Sequence, residues 1–166
     1  MKIRRATQSD IQDIAAIHIE SWKEAYSDVL PAEFLDGRID RDLERHWSKI
    51  EIQNEDTVLV AEENSLVGFV AVWCRPIPFI DNLHVRPSQR SKKTGSALMK
   101  VVAKELINKG HKTAYLWVFE GNEKAIRFYE RLGGVQKEQS IKNVFGYDVL
   151  SRKIEWDDLC VICENL

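Results

Sequence analysis

The sequence predicts a mixed α/β domain built on a largely antiparallel sheet. Two β-rich runs, Thr57–Ala61 and Leu66–Trp73, are joined by the short link Glu62–Ser65, the signature of a hairpin. Further strand-like runs then alternate with segments whose apolar residues recur at helical spacing, as in Ala125, Phe128, Tyr129 and Leu132. A chain of 166 residues, 44% hydrophobic and 30% charged, is long enough for one domain with its own core and too apolar for a disordered one. The domain is expected to span residues 1–154, leaving 155–166 as a tail available for packing or for a homodimer contact through the apolar stretch Leu159–Cys163.

The elements follow in order. Lys2–Ala6 reads as a strand, and Ser9 with Gln12 three residues on reads as a capping box for the first helix. That helix carries the stripe Ile11, Ile14, Ala15, His18, Trp22, Ala25 and Tyr26, and Leu30-Pro31 ends it. Leu43, Trp47 and Ile50 mark a second helix before a turn at Asn54–Asp56. After the hairpin, Pro76 and Pro78 close one run and Ile80–Val85 opens the next. Gly95–Lys109 is a helix stopped by Gly110, Thr113–Phe119 a strand, and a helix beginning at Asn122 is stopped by Gly133 and Gly134. Val144–Ile154 reads as the last strand.

Composition narrows the function. A formal net charge of -2 gives no drive toward nucleic acid. No apolar run approaches the roughly 20 residues of a membrane span, and MKIRRATQSD lacks the apolar core of a signal peptide, so a cytoplasmic protein is expected. Three cysteines without a framework of spacings fit a reducing compartment, and Cys160-x-x-Cys163 stands alone, with no second pair to make a metal site.

The informative stretch is LHVRPSQRSKKTGSALM, Leu83–Met99: a strand, a proline corner, a basic loop and a helix start. Such a corner aims free backbone N–H groups and the positive end of a helix dipole at one place, which suits an anion. Small residues Gly95, Ser96 and Ala97 allow close approach, and Lys92 and Lys93 stand at the rim. Neither the Walker nor the dinucleotide glycine pattern is present, which disfavours a nucleotide triphosphatase or a dinucleotide enzyme.

This stretch resembles the acetyl-CoA-binding segment of the GCN5-related N-acetyltransferase (GNAT) superfamily, a strand ending L-x-V-x-P followed by Q/R-x-x-G-x-G/A. Leu83, Val85, Pro87, Arg90 and Gly95 match in register. NEKAIRFYERLG, Asn122–Gly133, is similar to a second segment of that superfamily, and IHIESWKEAY to its first helix in a bacterial branch. The resemblance implies a mixed, mostly antiparallel sheet splayed between two strands, with about four flanking helices. It implies acetyl-CoA as donor, no metal, and transfer of the acetyl group to a primary amine of a small molecule by direct attack in a ternary complex. An amine on a protein N-terminus or side chain is the alternative acceptor.

Residue by residue, the resemblance puts the backbone of Leu83, His84 and Val85 against the pantetheine arm and Arg90, Ser91, Lys92, Lys93, Thr94, Gly95 and Ser96 around the pyrophosphate. Asn122 becomes a pantetheine contact, or simply the N-cap of its helix. Tyr129 becomes the acid for the departing thiolate, or a core tyrosine. Asp81 is the first candidate for the base, with His84, His18, Glu20 and Glu24 behind it; a period of two puts Asp81 and His84 on opposite faces. Trp22, Tyr26 and Glu24 are the expected acceptor-pocket residues, and the acidic Glu20, Glu24 and Asp28 favour a cationic acceptor. Two departures stand out. Ser91 and Lys93 replace family glycines, which keeps open a degenerate member that binds coenzyme A or a partner without turnover. Gly134 stands where the family often has phenylalanine, which predicts looser packing near the sulfur.

Overall fold

Alternating apolar strands and amphipathic helices leave this chain one way to bury both sets of faces, a central sheet with helices on either side. The computed structural model describes residues 1–164. Its strands are β1 (Lys2–Arg5), β2 (Thr57–Glu62), β3 (Leu66–Cys74), β4 (Pro78–Val85), β5 (Ala114–Phe119), β6 (Val135–Val144) and β7 (Tyr147–Trp156), in the sheet order β1-β2-β3-β4-β5-β7-β6. The helices are α1 (Ile11–Ala25), α2 (Ile39–Ser48), α3 (Thr94–Asn108), α4 (Glu123–Arg131) and α5 (Cys160–Glu164). Among the described residues no helix is long and apolar enough to cross a membrane.

Every neighbouring pair is antiparallel except β4 and β5, which run parallel and share only the register pair Phe79–Tyr115. Beyond that pair the two strands part. One core lies between the sheet and α3, α4 and α5, with Leu98, Met99, Val102, Leu106 and Trp156 at its centre. Ile14, Ile17, Trp47 and Phe69 form a second core under α1 and α2. Leu159 and Ile162 of the tail are fully buried in the first core, while Cys160 is exposed and Val161 and Cys163 are partly so.

Several local expectations are corrected. The N-terminal capping residues are Thr7 and Asp10, not Ser9 and Gln12: Asp10 Oδ2 accepts from the Thr7 backbone N–H at 2.7 Å. The same carboxylate takes a two-pronged bond from Arg4 at 2.8 and 3.0 Å, an attraction from β1 that the local pattern does not display. Ala25, counted on the apolar stripe, is exposed and lies on the wall of an open cleft. The closing strand is a hairpin of two, β6 and β7, turned by Phe145 and Gly146 at φ 49° and 91°. β6 escapes sequence reading because most of its residues face water on an edge strand, so they show no apolar alternation.

The Asp10 carboxyl is held at about 2, against an ordinary 3.8, chiefly by the Arg4 guanidinium and then by the Thr7 bonds. A depressed carboxyl stabilises the fold above its unfolded pKa and loses that contribution as pH falls through the folded value. Asp10→Asn is therefore expected to lower stability by about 2 kcal/mol at neutral pH. Urea midpoints of parent and variant should converge as the pH approaches about 2.

Candidate functional site

Where β4 and β5 diverge, a cleft of about 860 Å³ opens between them. Its floor is Ile80–Val85 of β4 and Leu116–Phe119 of β5. Ser21, Trp22 and Glu24 of α1 with Tyr26 just after it close one side, Gln89–Ser91 with Lys93, Gly95 and Ser96 one end, and Asn122, Phe128 and Tyr129 the other side. The splay leaves the β5-facing edge of β4 without a strand partner along most of its length, a row of backbone donors and acceptors open to an extended ligand.

The loop after β4 holds an unusual backbone. Ser91 and Lys93 both sit in the left-handed region, at φ 64° and 63°, and Lys93 is the residue preceding α3. The path that glycine would take without strain is kept by two residues that resist it. Each pays about 1 to 2 kcal/mol relative to a right-handed conformation. The first N–H groups of α3 have no helical acceptor and open toward the cleft end. Ser91→Gly and Lys93→Gly are each expected to raise stability by about 1 kcal/mol, net of the extra freedom glycine gives the unfolded chain. At this size that is a rise of about 2 to 4 °C in the thermal midpoint per substitution. Lys92 and Thr94 do not wall the cleft: the Lys92 ammonium bonds Gln89 Oε1 at 2.8 Å, and Thr94 is buried.

Ion pairs bind α1 to this loop. Arg86 pairs with Glu20 and donates to the Leu66 carbonyl at 2.9 Å. Arg90 pairs with Glu24, and donates to the Val85 carbonyl and to Ser21 Oγ, both at 3.3 Å. Glu24 is thus engaged by Arg90 while it lines the cleft. Asp28 remains on the cleft wall.

Tyr129 is 9% exposed, its ring edge-on to Phe128 and Trp156 at centroid distances of 5.2 and 6.0 Å. Its hydroxyl has no hydrogen-bond partner among the described residues, and burial, then the neighbouring Tyr26, pushes its pKa above the usual value for tyrosine. Asn122 is the N-cap of α4, its Oδ1 accepting from Ala125 N at 3.2 Å, while its Nδ2 donates to the Tyr26 hydroxyl at 3.2 Å. Tyr26 thereby joins α1 to α4, and Trp22 packs edge-on to Tyr26, Phe119 and Phe145.

A β-bulge places the β4 side chains. Asn82 pairs with Ala71 but Ile80 with Val72, so Asp81 is the extra residue. The period-two expectation fails there: Asp81 accepts from Trp73 Nε1 at 2.9 Å and His84 stacks on His18 of α1, both on the α1 side of the sheet. Asp81 Oδ2 also accepts from Asn82 Nδ2 at 3.1 Å, which leaves Oδ1 open on the cleft wall. His18 is buried beneath, away from the cleft lining.

Gly134 corrects another expectation. A Cβ there would lie 2.6 Å from Ile154 Cγ2, 2.9 Å from Trp156 Cζ2 and 3.0 Å from the Tyr129 carbonyl. The space is filled by Ile154 and Trp156, so packing behind Tyr129 is tight. Sequence reading also missed Lys124, Arg127 and Arg131, which bring three cationic side chains from α4 to the cleft. Their spacing of three and four along one helix face was the available signal.

Comparison with known proteins gives a consistent picture. The model of the Acetyltransferase (GNAT) family matches residues 13–134. An uncharacterized N-acetyltransferase from Archaeoglobus fulgidus is 30% identical over 140 residues, covering 78% of this chain and 89% of the relative. Among solved structures, a GCN5-related N-acetyltransferase from Rhodopseudomonas palustris aligns with a TM-score of 0.74 at 19% identity over 93% of each chain. The PaiA N-acetyltransferase from Thermoplasma acidophilum, in complex with coenzyme A, aligns with a TM-score of 0.66 at 21% identity, over 91% of this chain and 96% of that one.

Proposed function

The chain belongs to the GNAT acetyltransferase family, and from that premise we propose that its β4–β5 cleft takes acetyl-CoA and a primary amine together and moves the acetyl group directly between them. The observation that carries this reading is the continuity of the splayed β4 edge with the left-handed loop and the start of α3, with an unpaired tyrosine hydroxyl across the cleft. Acetyl-CoA supplies an activated thioester. The open edge at Leu83–Val85 pairs with its extended arm as an added strand would, and a backbone N–H there polarises the acyl oxygen. The loop Arg90–Ser96 fits an anion: free N–H groups of the α3 start converge there, and Lys93 and the α4 cations Lys124, Arg127 and Arg131 line the same cleft.

Asp81 receives the proton the amine must lose, through its open Oδ1 or one water. Tyr129 gives a proton to the departing sulfur. Trp22, Tyr26 and Phe119 form the aromatic wall against which the acceptor sits. The acceptor we propose is a small-molecule primary amine.

The test is thermal unfolding with and without acetyl-CoA. At about a hundred times the dissociation constant a ligand adds about 2.7 kcal/mol of stability, a rise of several degrees for a chain of this size. Free-thiol release with a panel of primary amines then reads turnover. An unchanged midpoint at high acetyl-CoA overturns the donor assignment.

A further inference from the structure

Two histidines lie one on the other beside the cleft, and their hydrogen bonds fix what each can do. His18 of α1 and His84 of β4 stack with centroids 4.5 Å apart and planes 23° from parallel. Trp47 Nε1, which can only donate, bonds His18 Nδ1 at 3.0 Å, so that nitrogen carries a lone pair and the proton is on Nε2. The Nε2 atom is buried without a partner. His84 Nδ1 lies 3.0 Å from Ser21 Oγ.

The direction of that last bond follows from the other contact Ser21 makes. Arg90 Nη2 donates to the same oxygen, because a guanidinium has no acceptor. Ser21 is only 5% exposed, and among the described residues its hydroxyl proton has one remaining partner, His84 Nδ1. Were His84 Nδ1 to carry a proton instead, the serine proton would be buried and unbonded, a costly arrangement. The donor sequence is therefore Arg90 to Ser21 to His84. It leaves Nε2–H as the free polar atom of an imidazole on the cleft wall.

We infer that His84 is a neutral, permanently protonated-at-Nε2 donor on the acceptor side of the cleft, positioned by Ser21 and Arg90, and that it selects acceptors with an oxygen close to the amine. It is not the base that β4 placement alone suggests, since its only lone pair is committed to Ser21. The charged and titratable groups around it agree: Arg90 lies on the far side of Ser21, His18 stacks beneath, and Phe69 covers another face. Burial first and the Arg90 charge second hold the His84 pKa at about 3. With Asp81 Oδ1 as an open acceptor on the same strand, the wall offers one donor and one acceptor. An α-amino acyl group, with an amine and a carbonyl oxygen on neighbouring carbons, meets both. This substrate class rests on the acetyltransferase reading; the state of His84 does not.

The experiment is a long-range proton–nitrogen NMR correlation on protein labelled with nitrogen-15 histidine, with His84→Gln to assign the signal. His84 is expected to show a protonated Nε2 and an unprotonated Nδ1, unchanged over the range of about pH 5 to 8 in which a free imidazole titrates. Ser21→Ala should spread the ring over both tautomers, a change that a purely structural serine would not cause. A His84 signal that titrates in that window, or that carries its proton on Nδ1, overturns the inference. In the acetylation assay, with rates expressed per neutral amine because an α-amino amide is the weaker base, an α-amino amide should be preferred over the matching alkylamine by roughly five- to tenfold, the worth of one hydrogen bond. His84→Gln should keep that preference and His84→Phe should lose it. Equal rates for the two amines with the native protein overturn the substrate class while leaving the donor assignment to the NMR result.

Discussion

Gly134→Phe, which installs the aromatic residue that the family resemblance suggests at this place, is expected to destabilise the protein by about 3 kcal/mol or more. The reason is volume rather than backbone freedom, since Gly134 has no positive φ. Even a Cβ would stand 2.6 Å from Ile154 Cγ2 and 2.9 Å from Trp156 Cζ2, and the Tyr129 carbonyl at 3.0 Å is backbone that cannot rotate away. Trp156 is fully buried and anchored through its Nε1 to the Leu132 carbonyl at 3.0 Å. An indole from β7 thus occupies the space that a side chain at 134 needs, and it supports the ring of Tyr129 edge-on. Trp156→Ala alone should cost about 3 to 5 kcal/mol by opening a cavity. The pair Gly134→Phe with Trp156→Ala should be less damaging than the sum, because the lost indole frees part of the space the phenylalanine needs, although Ile154 and the Tyr129 carbonyl stay in place. Urea midpoints of the four proteins check this. A Gly134→Phe protein of parental stability, or strictly additive losses, would show that the two positions do not compete for space.

That exchange illustrates which features a sequence displays. The strand ending at Val85, the corner at Pro87, the start of α3 near Gly95 and the cap at Asn122 are all written in residues within a few positions of one another, and each lies where local patterning puts it. The left-handed backbone at Ser91 and Lys93 is signalled only by the family glycines that these residues replace, because neither residue prefers it. Features that depend on distant partners were hidden. Glu24 looks free until Arg90, 66 residues later, is folded onto it. Tyr26 gains its bond from Asn122 across 96 residues. The bulge at Asp81 reverses a side-chain parity that period-two counting takes for granted, and Trp156 explains Gly134 from the far end of the chain. Patterning located the cleft; tertiary contacts decided which side chains in it are free to act.

Tyr129→Phe is expected to slow acetyl transfer by about a hundredfold or more while leaving the fold and donor binding nearly unchanged. The hydroxyl makes no hydrogen bond to any described residue, so its removal leaves no buried partner unsatisfied and should move the thermal midpoint little. Its environment favours the acid form. Burial, with Tyr26 adding to it, raises the pKa above the tyrosine reference of 10.0, so the phenol stays protonated throughout the neutral and mildly alkaline range. A proton held that firmly leaves only as the sulfur departs, when the developing thiolate supplies the base. Two consequences separate this role from packing. In the native protein the rate should climb with pH as the acceptor amine loses its own proton, with no falling limb in the range where the tyrosine remains neutral. In Tyr129→Phe the rate should become sensitive to the leaving thiol, slower thiols suffering most, because water must supply the proton. Donor-induced stabilisation measured on the same variant isolates the chemical step. A variant that binds acetyl-CoA as the parent does and turns over at the parental rate would remove Tyr129 from the reaction and leave it as a wall of the cleft.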